Sequence, residues 1–120
     1  LEEVISAIKM LRIPLVTDEY RLQELVAEAL RKSGIEFVKE AKLAPYCRVD
    51  FLCRGGVAVE VKRGKPGRKI LMQQLSRYAQ SPHVASILLV VERTASLPDT
   101  ILGKPCKVLA LNRLWGVAVG

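Results

Sequence analysis

The chain has 120 residues, half of them hydrophobic, with 19 Lys and Arg against 12 Asp and Glu and a formal charge of +7. That size and apolar content suit one domain with a real core, so residues 1–120 read as a single unit without a linker. Its apolar runs fall far short of the roughly 20 residues that span a bilayer, and an acidic start (Glu2, Glu3) argues against an export signal.

Val4, Ile5, Ile8 and Leu11 recur at helical spacing until Pro14, which predicts a short first helix. Thr17 then reads as an N-cap, followed by Asp18 and Glu19 in a first turn where the helix dipole favours carboxylates. Leu22, Leu25, Val26, Ala29 and Leu30 form the apolar stripe of this second helix, and Gly34 ends it. Three β-rich runs follow, Ile35 to Leu43, Tyr46 to Cys53 and Val57 to Lys62, expected as adjacent antiparallel strands. Gly55-Gly56 supplies the positive φ values of a tight turn between the last two.

A basic loop precedes a third helix carrying Ile70, Leu71, Leu75, Tyr78 and Ala79, up to Ser81-Pro82. Val84 to Val91 reads as a fully buried strand and Lys107 to Leu111 as the last one, with Trp115 in a packing or subunit-contact tail. The order α, α, β, β, β, α, β, β is that of a mixed α/β fold. Cys47, Cys53 and Cys106 contain no C-x-x-C pair, so neither a disulfide framework nor a zinc ribbon is indicated, and a reducing, cytoplasmic setting fits. Cys47 and Cys53 are expected to share a face with Val49 and Phe51 as core filler. The only histidine, His83, sits in a connection and reads as a loop residue, so triad and paired-histidine mechanisms are set aside.

The chemistry concentrates on the third of these strands. Val57, Val59 and Val61 take one face, Ala58, Glu60 and Lys62 the other, with Glu60 and Lys62 roughly 6.5 Å apart along the strand. Glu-x-Lys alone is common and is more often a solvated strand edge. Asp50 on the preceding strand changes the balance, because it can meet Glu60 across the hairpin. Two carboxylates in an apolar sheet repel and lose hydration, a cost that a divalent cation removes, and all-oxygen ligation suits Mg²⁺ or Mn²⁺. Gln74, on the inward side of the third helix with Tyr78, needs a polar partner, either in the core or in a site. Five of the eight residues from Lys62 to Lys69 are basic, and Lys62, Arg63, Lys65, Arg68 and Lys69 can meet a phosphate backbone. Aromatics at 5% argue against a single-strand stacking platform, so any nucleic acid held by this loop is expected to be duplex or branched and gripped by its backbone.

Arg48-Val49-Asp50-Phe51, Glu60-Val61-Lys62 and Gln74-x-x-x-Tyr78 together resemble the motifs of PD-(D/E)XK nucleases, over about Thr17 to Glu92. The Gln-x-x-x-Tyr helix looks like the RecB-like branch, and the compact α-β-β-β-α-β order is similar to archaeal Holliday-junction resolvases. Val49 stands where the family name has Pro. The resemblance implies a restriction-endonuclease-like α/β fold, a mixed sheet flanked by helices. It also implies Mg²⁺-dependent DNA hydrolysis, with Asp50, Glu60 and a carbonyl near Val61 holding the metal. Lys62 then orients the attacking water and offsets developing charge, while Gln74 and Tyr78 position water or phosphate. It further implies an acidic residue in the preceding helix. Helical geometry favours Glu19, at the edge of the apolar stripe, over Glu24 and Glu28. Small nucleases of this kind often pair, so a homodimer is compatible. The alternative is a DNA-binding module of the same fold without catalysis.

Overall fold

The computed structural model describes residues 1–11, 18–64, 67–93 and 95–111, and within them it has three helices and a six-stranded mixed sheet. Thr17, Pro14, Lys65 and Trp115 lie outside the described residues. None of the described helices is long and apolar enough to cross a membrane.

Helix α1 spans Glu2–Lys9 and α2 spans Glu19–Lys32. The side chain of Asp18 caps α2, accepting a hydrogen bond from the Arg21 N–H at 2.7 Å, an arrangement generally worth about 1 kcal/mol. At the other end Gly34, with φ 71°, turns the chain so that its N–H meets the Arg31 carbonyl and the Ile35 N–H meets the Leu30 carbonyl. Ile35 is thereby folded back into the same apolar cluster as Leu30.

Strands β1 (Phe37–Ala44), β2 (Cys47–Cys53) and β3 (Val57–Lys62) form the expected antiparallel meander. Helix α3 (Arg68–Ala79) crosses over to β4 (Ser86–Val91), which runs parallel to β3. Strands β5 (Thr100–Ile101) and β6 (Lys104–Ala110) follow, and the spatial order is β1-β2-β3-β4-β6-β5. The two-residue β5 has no periodicity of its own, and β6 starts three residues earlier than its apolar pattern predicts. β4 lies between two parallel neighbours and is buried at every position, which is why it reads as one continuous apolar run.

Helices α1 and α2 cover one face of the sheet, where Ile8, Val26 and Leu30 pack on Phe51, Val59 and Leu88. Helix α3 covers the other, where Leu71, Leu75 and Tyr78 pack on Ala58, Ile87 and Leu89.

The side chains of β2 depart from the expected alternation. Cys47 and Val49 pack on the α3 side, whereas Phe51 and Cys53 pack on the α1/α2 side, so these four residues do not share a face. The alternation slips by one at Asp50. Opposite it, Glu40 takes φ 52°, and β1 slips likewise, with Ala41 on the α3 side and Phe37 against the α1/α2 cluster. The β2–β3 ladder is regular only from Phe51↔Val59 to Cys53↔Val57. Beyond it, the Asp50 side chain takes over as the partner of the β3 backbone.

The β2–β3 turn shows why Gly56 is glycine. Its φ is 76°, and a Cβ there would lie 2.8 Å from the His83 carbonyl oxygen and 2.9 Å from the Ala85 nitrogen. Gly55, with φ 83°, faces open space. Gly56→Ala is therefore expected to cost about 2–4 kcal/mol and Gly55→Ala about 1, measured by urea unfolding. Equal costs would mean that the β3–β4 approach is loose.

Candidate active site

The site lies where the β2–β3 ladder ends. Glu60 is 3% exposed, on the α3 face of β3, because the alternation Val57-Ala58-Val59-Glu60-Val61-Lys62 is unbroken there. Lys62 follows two residues later on the same face, half-buried, with its Nζ 3.1 Å from Glu60 Oε2. The other Glu60 oxygen, Oε1, accepts from the Tyr78 hydroxyl at 2.9 Å and from the Asp50 N–H at 3.3 Å. Asp50 returns the tie: its Oδ2 accepts the Val61 N–H at 2.7 Å. Each carboxylate is thus held by the backbone of the other's strand. The slip at Asp50 makes this reciprocal arrangement, since it frees the Val61 N–H from the ladder and aims a carboxylate at it.

The electrostatics follow from burial. Loss of hydration first, and the Glu60 carboxylate second, push the Asp50 carboxyl up from 3.8 to about 7, against the opposing pull of the Val61 N–H and the Lys62 ammonium. Burial and then Glu60 also push the Tyr78 phenol well above its ordinary value. It remains a proton donor, with its one proton between Glu60 Oε1 and the Arg48 carbonyl oxygen, each 2.9 Å away. Tyr78 thereby ties α3 to both carboxylate-bearing strands.

No protein-family model, curated protein or solved structure matches this chain. The site's own geometry therefore carries the functional reading.

The other sequence-predicted residues are spread over α2, α3 and the segment after β3. Glu19 Oε1 is 3.4 Å from the Arg63 N–H, just past the end of β3, and its charge contributes to the rise at Asp50. Glu24 instead pairs with Arg21 at 3.7 Å on the outer surface of α2. Gln74 is half-buried one turn before Tyr78, and the hydrogen bonds that join α3 to Glu60 among the described residues run through Tyr78. Of the basic loop, Lys69 is exposed, the Arg68 guanidinium donates to the Ser96 carbonyl, and Arg63 Nε donates to Glu92 Oε2 at 2.9 Å. Sequence reasoning misses Glu92. The signal is the parallel β3–β4 pairing: Lys62 lies beside Val91, so the next residue of each strand meets, and one is Arg and the other Glu.

Among the described residues, no three His, Cys, Asp or Glu side chains come together as a metal cluster; the carboxylates tied to each other's strands are Asp50 and Glu60. That donor set fits Mg²⁺ or Mn²⁺, which take oxygen ligands and complete their shell with carbonyls, water and substrate oxygens. Burial first and the Glu60 charge second raise Asp50, and a bound dication offsets both by favouring the ionised carboxylate.

Proposed function

We propose that this protein is a divalent-metal-dependent nuclease that hydrolyses phosphodiester bonds of DNA, on a fold of the restriction-endonuclease-like kind. The observation that carries this reading is the pair Asp50 and Glu60, cross-tied by hydrogen bonds to each other's strands, with the Lys62 ammonium 3.1 Å from Glu60. A merely structural buried pair would be an acid and a base. Two acids facing one another, with one base held to the side, is an arrangement that costs stability until a cation and a phosphate arrive.

Asp50 and Glu60 would hold Mg²⁺, with a carbonyl near Val61 as a further oxygen. When bound, the ion supplies Lewis-acid polarisation of the phosphate and acidifies water. The chain's own residues do the rest. The Val61 N–H fixes the rotamer of Asp50, and the Tyr78 hydroxyl fixes that of Glu60. Lys62, restrained by Glu60, presents a positive charge where the phosphorane develops negative charge. Glu19 holds the Arg63 N–H and so the start of the loop that carries the remaining cations. Water oxygen attacks phosphorus and gives up a proton to solvent, the bond to one ester oxygen breaks, and that oxygen takes up a proton from solvent and leaves as a hydroxyl.

Lys62→Met is expected to lower the single-turnover cleavage rate by about 10²–10³, the usual cost of losing one preorganised charge donor. Mg²⁺ affinity, followed by calorimetry, is expected to change little, since Lys62 is no ligand. An unchanged cleavage rate would remove Lys62 from the mechanism.

A further inference from the structure

The slip at Glu40 and Asp50 has an effect beyond the carboxylates. Lys39 is the partner of Phe51 and so lies on the α1/α2 face, with its Nζ 5.4 Å from the Tyr20 ring centroid on α2. Ala41 packs on the α3 side, so Lys42 also points to the α1/α2 face. In an unbroken strand residues 39 and 42 would point to opposite faces. Arg48 is the direct cross-strand partner of Lys42. All three side chains are exposed, and among the described residues none forms an ion pair. Like charges placed directly opposite on neighbouring strands repel. Glu40, exposed at the slip, and Asp50 are the only carboxylates of β1 and β2.

The position of this cationic face fits the site. Arg48 is two residues from Asp50, about 7 Å along the strand, and the ribbon tip at Tyr46 is about 13 Å away. Phosphates advance about 3.4 Å per nucleotide along one strand of a duplex, so these distances correspond to about two to four nucleotides. Lys69, by contrast, stands on α3, on the other side of the sheet. One cationic surface on each side of a pair of carboxylates matches two phosphate backbones.

Resting on the nuclease reading, we infer that the α2-side face of the β1–β2 ribbon, formed by Lys39, Lys42 and Arg48, grips a second phosphate backbone, which makes duplex DNA the preferred substrate. Lys39→Gln, Lys42→Gln and Arg48→Gln together, compared with the parent in EDTA, test it on a 30-base-pair duplex and on one of its single strands. Each lost contact lowers the slope of log affinity against log salt by about 0.9, so the duplex slope is expected to fall by about 2–3. Duplex affinity at 0.1 M salt is expected to drop about tenfold or more, with a much smaller change for the single strand. An unaltered duplex slope, or an equal loss on both nucleic acids, overturns the assignment.

Lys42→Gln alone is expected to raise the melting temperature without DNA, by relieving the repulsion with Arg48. A fall would mean that the pair holds the ribbon together and would also overturn the assignment. Cleavage in Mg²⁺ keeps the two readings apart. A parent that cuts while the triple variant binds as the parent does loses only the ribbon contact. A parent that binds through the ribbon without cutting loses only catalysis, and a parent that neither binds nor cuts loses both.

Discussion

Asp50→Asn is expected to melt at a higher temperature than the wild type in EDTA at pH 8, and to cut DNA about 10³-fold more slowly in Mg²⁺. The two effects share one cause. Burial and the facing Glu60 carboxylate oppose the charge on Asp50, and the neutral amide removes that repulsion while its oxygen can still accept the Val61 N–H. The gain should be on the order of 1–3 kcal/mol, detectable by thermal or urea unfolding. The loss follows because a neutral ligand neither attracts a dication as strongly nor completes the charge balance of the phosphate complex. A variant that is less stable than wild type would show that Asp50 serves the fold through its charge. A variant that still cuts at the wild-type rate would remove it from the site.

The second expectation concerns pH and metal together. Asp50 titrates near 7 in the folded chain against 3.8 ordinarily, so the folded state holds its proton more tightly than the unfolded chain. Between about pH 4 and pH 7 the folded state binds more protons, and the linkage slope makes stability fall as pH rises. Without metal, the melting temperature of the wild type should drop across this window relative to Asp50→Asn, by about 5–10 °C. Saturating Mg²⁺ should reverse the drop at pH 8, because a ligand that binds only the native state stabilises it. At pH 5 the same Mg²⁺ should do little, since the ion competes with the proton. A wild type whose melting temperature is indifferent to Mg²⁺ at pH 8 would leave the carboxylate pair without a cation.

Much of the fold and part of the site are legible in the amino-acid sequence. The bounds of β3 follow to the residue, because Gly55-Gly56 marks its start and strict alternation carries Glu60 and Lys62 to a common face. The preference for Glu19 over Glu24 rests on helical angle alone, and the structure places Glu19 on the Arg63 N–H and Glu24 on the outside with Arg21. The slip at Asp50 leaves no trace in the sequence. Arg48-Val49-Asp50-Phe51 alternates as any strand would, and the side-chain-to-backbone tie that replaces the ladder uses the Val61 N–H, which every residue but proline has. The same limit hides the Tyr78 contact with the Arg48 carbonyl. A pattern of side chains specifies which groups face inward on a regular strand, whereas here the β1–β2 pairing keeps its register through Asp50 while the side-chain alternation slips at that residue. The cationic face of the ribbon is hidden for that reason, since regular alternation separates Lys39 from Lys42.

The measurement that bears most directly on the nuclease reading is a single-turnover time course on labelled linear, nicked, single-stranded and four-way DNA. It compares Mg²⁺ with EDTA and the wild type with Glu60→Gln. Cleavage that requires the metal, favours duplex-containing substrates and is lost in Glu60→Gln is the predicted result. Salt-sensitive binding of the same DNA with no cleavage in any metal condition would contradict it, and would make this a nucleic-acid-binding domain.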